Sequence, residues 1–183
     1  MSNKVLSILI PTLTERAHHL ANLMAILIPQ LTDQVEVLID DRPRGVTTGE
    51  KRNDLYAKAK GIYSVSVDDD DWIPSDYVKR LLIATSHNTD CITFKGWMTT
   101  DSHSRVNFVL RLGEKYEERG GVYYRFPNHI VAIKADICRM VKFPNKTVGE
   151  DYAWAKEIND RGLIKSEYFI DYEMYHYDYR TNK

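Results

Sequence analysis

The chain has 183 residues, 43% of them hydrophobic and 28% charged, which excludes a disordered chain and suits one globular domain with its own core. A formal net charge of −1 excludes the overall positive field of a general nucleic-acid binder, while leaving room for a local basic groove. The apolar stretch from Leu20 to Leu31 is too short to span a bilayer and is broken by Pro29. No signal peptide precedes the first strand pattern, so a cytoplasmic protein without an integral membrane segment is expected, with Cys91 and Cys138 as reduced thiols.

Val5 to Ile10 is a short β-rich apolar run stopped by Pro11, the pattern of a buried strand. Leu20, Leu23, Met24, Leu27, Ile28 and Leu31 then recur at the spacing of an amphipathic helix. A second buried strand, Val35 to Ile39, ends in Asp40-Asp41. After a loop with Pro43, Gly45 and Gly49, a helix from about Glu50 to Lys60 is expected to close at Gly61. The strand Ile62 to Val67 leads into Asp68-Asp69-Asp70-Asp71, and Pro74-Ser75-Asp76 reads as the start of another helix. Strands alternating with helices predict an α/β fold with right-handed crossovers and a mainly parallel central sheet flanked by helices. Ligands of such sheets sit beyond the carboxyl ends of the strands. The ends at Pro11-Thr12, Asp40-Asp41 and Asp68 to Asp71 should therefore share one edge. Four adjacent carboxylates read either as a solvated loop or as the seat of a divalent cation with a phosphorylated ligand. Their position on that edge favours the second.

The second half reads differently. Cys91 to Phe94, Arg105 to Leu110, Val122 to Phe126 and Asn128 to Ile133 are strand candidates. Ala135 to Val141 is a short helix, Gly149 to Arg161 a longer one stopped by Gly162, and Glu167 to Tyr172 a last strand. The single domain thus divides into a nucleotide-binding half, 1–90, and a mixed half, 91–183, able to hold a second substrate.

Five motifs occur in order: Ser7 to Thr12, Val37 to Asp41, Lys51-Arg52-Asn53 with Ala59-Lys60-Gly61, Val67 to Asp71, and Gly149-Glu150-Asp151. The series resembles family 2 glycosyltransferases of the GT-A fold, and Gly49 to Asp71 is most similar to small glycosyltransferase-like proteins of bacteriophages. The resemblance runs over residues 5–176. It implies a nucleoside diphosphate sugar as donor, most simply a UDP-sugar, with Mn²⁺ or Mg²⁺. It implies that Thr12 and Asp41 contact the uracil and that Arg52 faces the diphosphate, a task Lys51 could take over. Asp68, Asp69 and Asp70 would hold the donor and the metal, with Asp70 the first choice as metal ligand and the register open by one residue because every candidate is an aspartate. Among members with a late histidine in the metal shell, His176 is the matching position. Glu150-Asp151 matches the carboxylate pair of inverting members, with Asp151 as general base toward the acceptor hydroxyl and Glu150 orienting it. A helix start with two acids complementing its dipole would look the same in sequence.

The acceptor is left open among a glycan, a protein and, by association with phages, a hydroxymethylated DNA base; a phage protein would work in the host cytoplasm. Trp97, Tyr123, Tyr124, Phe126 and Trp154 are candidate stacking surfaces or core residues, and His129 is an acceptor-side candidate. Arg105, Arg111, Arg119 and Arg125 make the middle segment mildly basic. His18 and His19 read as exposed helix residues, and Asp71 as solvated or capping a turn. Two rivals stay in view: a nucleotidyltransferase of similar fold, against which Pro11 to Glu15 lacks the Gly-rich loop, and a non-catalytic sugar-nucleotide or glycan-binding module.

Overall fold

A computed structural model describes residues 4–181. Its centre is one nine-stranded mixed sheet: β1 Leu6–Pro11, β2 Val35–Asp40, β3 Tyr63–Ser66, β4 Cys91–Thr100, β5 His103–Leu110, β6 Glu117–Arg119, β7 Val122–Arg125, β8 Ala132–Lys134 and β9 Glu167–Tyr179. The strand order is β2-β1-β3-β8-β4-β5-β7-β6, and β9 lies along the other side of β4. Five α-helices accompany it: α1 Ala17–Leu27, α2 Thr48–Lys58, α3 Tyr77–Thr85, α4 Ala135–Arg139 and α5 Glu150–Asp160.

The first three strands run parallel, with Pro11 opposite Asp40 and Leu9 opposite Ser66, so their carboxyl ends do share an edge. β1 is buried along its whole length because it sits between β2 and β3 with helices over the sheet, which is why its sequence is a run rather than an alternation. Beyond β3 the sheet becomes mixed: β8 is antiparallel to both β3 and β4, whereas β9 runs parallel to β4 over ten residue pairs. Both halves of the chain contribute to this one sheet and to one contiguous core.

Three expectations are corrected. Helix α2 ends at Lys58 with Ala59 already extended, so Gly61 is not its cap. Gly61 serves a different purpose: a Cβ there would lie 2.6 Å from the Ser7 backbone nitrogen, so only glycine lets the chain pass β1 this closely. Asn128 to Val131 form a turn, and only Ala132–Lys134 pair as strand. The last strand continues past Tyr172 to Tyr179, carried by pairing with β4. The short β6, Glu-Glu-Arg and wholly exposed, carries no apolar signal and was not anticipated.

Candidate active site at the strand ends

Helix α2 explains the Gly-Glu-Lys-Arg-Asn motif residue by residue. Thr47 caps its start by accepting from the Glu50 N–H. Gly49 lies against the segment before α5, where a Cβ would fall 2.0 Å from the Pro144 carbonyl oxygen. Asn53 clamps the same segment, donating to the Phe143 carbonyl and accepting from the Phe143 N–H at 2.9 Å each. Lys51, 2% exposed, donates to the Thr12 carbonyl at 2.5 Å and to that of Arg42, tying the ends of β1 and β2 together. Arg52, 3% exposed, reaches the acidic run from behind.

The acidic run is organised, not solvated. Arg52 donates to Asp68 Oδ1 at 2.8 Å and lies 3.4 Å from Glu150 Oε1. In front, the half-buried Arg16 bridges Asp69 and Asp70 at 2.6 and 2.7 Å. Asp69 also accepts from the Thr12 hydroxyl. Asp71, expected in solvent or as a turn cap, is buried and accepts from the Tyr175 hydroxyl at 2.6 Å, while that oxygen accepts from the Asp68 N–H. Burial raises the pKa of Asp69 despite Thr12 and Arg16, and that of Glu150 despite Arg52. Burial also works against charge on Arg52, but Asp68, Glu150 and Asp151 outweigh it and keep the guanidinium protonated.

His129 joins the two halves of the site. Its Nε2 lies 3.7 Å from Asp68 Oδ2 and its Nδ1 3.7 Å from Asp151 Oδ2, with the side chain buried at 8% exposure. The Nδ1 atom is buried without a hydrogen bond. Asp151 stands in the first turn of α5, which starts at Gly149 in the left-handed conformation, φ 73°. Trp154 anchors that helix: it is fully buried, stacks on Phe143 at 4.6 Å and donates to the Val141 carbonyl. Of the two readings open for Trp154, stacking surface or core, the structure shows core.

The structure thus brings together Thr12, Arg52, Asp68, Asp69, Asp70, Glu150 and Asp151. Asp41 is exposed on the same edge, where its carbonyl accepts from Thr14, while Asp40 is taken up by Arg42. His176 is not brought to the acidic run. The β4–β9 register puts it opposite Trp97, on the face away from Tyr175 and Tyr177, where its ring stacks on Trp97 at 3.5 Å and meets the Thr99 hydroxyl at 2.9 Å. Only its backbone touches the acidic segment, pairing with Trp72.

Among solved structures the chain is similar to S. aureus TarS, a GT-A glycosyltransferase, residues 1–349. In the TarS complex with UDP the TM-score is 0.66 at 13% identity, over 95% of this chain and 60% of that one. In the complex with UDP-GlcNAc it is 0.62 at 13% identity, over 98% and 60%. The chain has the GT-A fold. It spans about 60% of the length of the TarS fragment it matches. No protein-family profile and no curated protein matches the sequence.

The residues to which sequence reasoning gave no such role are Arg16, His129 as a bridge, and Tyr175. Arg16 lies five residues past Pro11, the end of β1, so its place near the ligand edge is visible in sequence although its role is not. Tyr175 carries a signal in retrospect: Tyr175, Tyr177 and Tyr179 alternate along one strand. The bridging role of His129 has no local signal.

Proposed function

We propose that this chain is a glycosyltransferase that moves a sugar from a nucleoside diphosphate sugar, a UDP-sugar, to an acceptor hydroxyl with inversion at the anomeric carbon. One observation carries the reading: the strand-end carboxylate Asp68 and the helix-start carboxylate Asp151 flank a single imidazole, 3.7 Å from either nitrogen. A donor held at the strand ends therefore presents its anomeric carbon within reach of a base on α5. The likeness to TarS bound to UDP and to UDP-GlcNAc supports the same donor class.

The donor lies across the ends of β1, β2 and β3. Thr12 and the exposed Asp41 take the base, Asp68 and Asp69 the ribose side, and the diphosphate reaches Arg16. That assignment moves the diphosphate cation from Arg52, which is buried behind the carboxylates, to Arg16 in front of them. A divalent cation fits the donor set, which is all oxygen. Among the described residues no three His, Cys, Asp or Glu side chains converge as a metal cage. The protein would supply Asp70 with Asp68, whose side chains are 20% and 29% exposed against 4% for Asp69, and the diphosphate the rest. A bound Mn²⁺ or Mg²⁺ supplies charge neutralisation for the departing diphosphate.

Asp151 accepts the proton of the acceptor hydroxyl as its oxygen bonds to the anomeric carbon and the bond from that carbon to the diphosphate breaks. Glu150, buried beside Arg52, fixes the start of α5 and hence the position of Asp151. His129 lies between Asp151 and Asp68, 3.7 Å from each, and spaces the base from the donor.

Calorimetric titration of UDP, UDP-GlcNAc and UTP with and without Mn²⁺ tests the reading. Diphosphate binding strengthened by Mn²⁺ is expected. Binding of the triphosphate alone, or of no nucleotide, would overturn it.

A further inference from the structure

Acceptor chemistry is written into the sheet face beside Asp151. The strand registers place Tyr177 opposite Met98, Gly96 opposite Phe108, Phe108 opposite Tyr123 and Leu110 opposite Arg125, so β9, β4, β5 and β7 present these side chains on one face. Gly96 is required there: a Cβ would fall 2.2 Å from the Phe108 ring. Tyr116 comes up against this face, its ring 4.5 Å from Phe126 and 5.0 Å from Tyr152, the residue after Asp151. Its hydroxyl meets the Asn128 amide at 3.3 Å, and both Tyr116 and Tyr152 keep a solvent-facing surface.

Arg125 lies against these rings, its guanidinium carbon 5.4 Å from the Tyr116 centroid and 5.7 Å from that of Tyr123. Every other arginine among the described residues has a carboxylate oxygen within 4.0 Å. Arg125 has none; its hydrogen-bond contact is the Met98 sulfur at 4.0 Å. The arginines nearest in sequence, Arg111 and Arg119, are neutralised by Glu167 and by Glu114 with Glu117. A half-buried guanidinium among aromatic rings and without its own counter-ion is a ready receptor for an anion. Burial raises the Tyr116 phenol against the Asn128 hydrogen bond and the Arg125 charge, which lower it.

We propose that Arg125, Tyr116 and Tyr152 form the acceptor subsite, and that the acceptor is an anionic carbohydrate carrying a phosphate or carboxylate near the hydroxyl that Asp151 deprotonates. The proposal rests on the glycosyltransferase reading. The flat apolar face of a sugar ring packs on Tyr116 and Tyr152, and its anionic group accepts from the Arg125 guanidinium.

Titration of glucose, glucose 6-phosphate and glucuronate, with and without saturating UDP and Mn²⁺, tests it. Saturation with UDP closes the donor's own phosphate site to the probes. At least one anionic sugar should bind about tenfold or more tighter than glucose, and the better of the two tells phosphate from carboxylate. Arg125→Gln should abolish that preference while leaving UDP affinity unchanged, and Arg125→Lys should keep part of it. Equal affinity for neutral and anionic sugars, no binding of any of them, or an undiminished preference in Arg125→Gln would overturn the proposal. So would tighter binding of an oligonucleotide through the same arginine. Failure of UDP itself to bind would count against the donor reading, and the titrations without UDP would still decide this one.

Discussion

Arg52→Met removes the cation on which the rear of the site depends. The guanidinium is 3% exposed and sits between Asp68 at 2.8 Å and Glu150 at 3.4 Å, the latter only 5% exposed. Methionine fills much of the space over the Phe143 ring but leaves Glu150 buried without its counter-ion. Breaking a buried pair from one side costs roughly 3–5 kcal/mol. For a domain of this size that is a melting temperature lower by roughly 6–20 °C. The deficit should depend on pH in a definite sense. Burial already raises Glu150 against the pull of Arg52, so losing the arginine raises it further. A carboxyl raised in the folded state favours folding most below its unfolded pKa and loses that contribution as pH rises through its folded value. The gap between variant and parent should therefore be small in acid and full near neutrality. Arg52→Met with Glu150→Gln should recover much of it. Chemical denaturation across a pH series measures all three proteins. A gap under about 1 kcal/mol at neutral pH, a gap that does not change with pH, or no recovery in the double variant would refute the reasoning.

Gly61→Ala should cost roughly 1–3 kcal/mol by denaturant titration, because its Cβ would meet the Ser7 and Leu6 backbone at 2.6 and 2.8 Å. A neutral result would mean that the β1 passage is looser than described. Arg16→Gln removes the front cation and its contacts to Asp69 and Asp70. Mn²⁺ alone should then bind more tightly and UDP, at saturating Mn²⁺, about tenfold more weakly, both readable by calorimetry. Unchanged UDP affinity would remove Arg16 from the diphosphate site.

The first half was legible because its signals are local. Strands β1 to β3 are short apolar runs bounded by proline, glycine and aspartate, and parallel pairing sends all three ends to one edge. The site residues of that edge could be named from their positions after strands. Burial of an arginine could not: Arg52 looks like any exposed helix arginine until Phe143 and Glu150, nearly a hundred residues later, close over it. His176 shows the opposite failure. Its residue type suits a metal, but strand alternation turns its ring toward Trp97 while Tyr175 and Tyr177 face the carboxylates. The second half was read least well, since β6 has no apolar residue, β8 is three residues long, and Asn128-His129 reads as strand though it turns to aim an imidazole between two distant carboxylates.

Sugar transfer by Asp151→Asn is the most direct measure of the proposed chemistry. With the parent, UDP-sugars and Mn²⁺ in the presence of carbohydrate acceptors, mass spectrometry should detect a glycoside. The Asp151→Asn protein should bind UDP as the parent does and form that glycoside roughly 10²–10⁴-fold more slowly. Transfer at the parental rate, or loss of UDP binding together with transfer, would contradict Asp151 as the base.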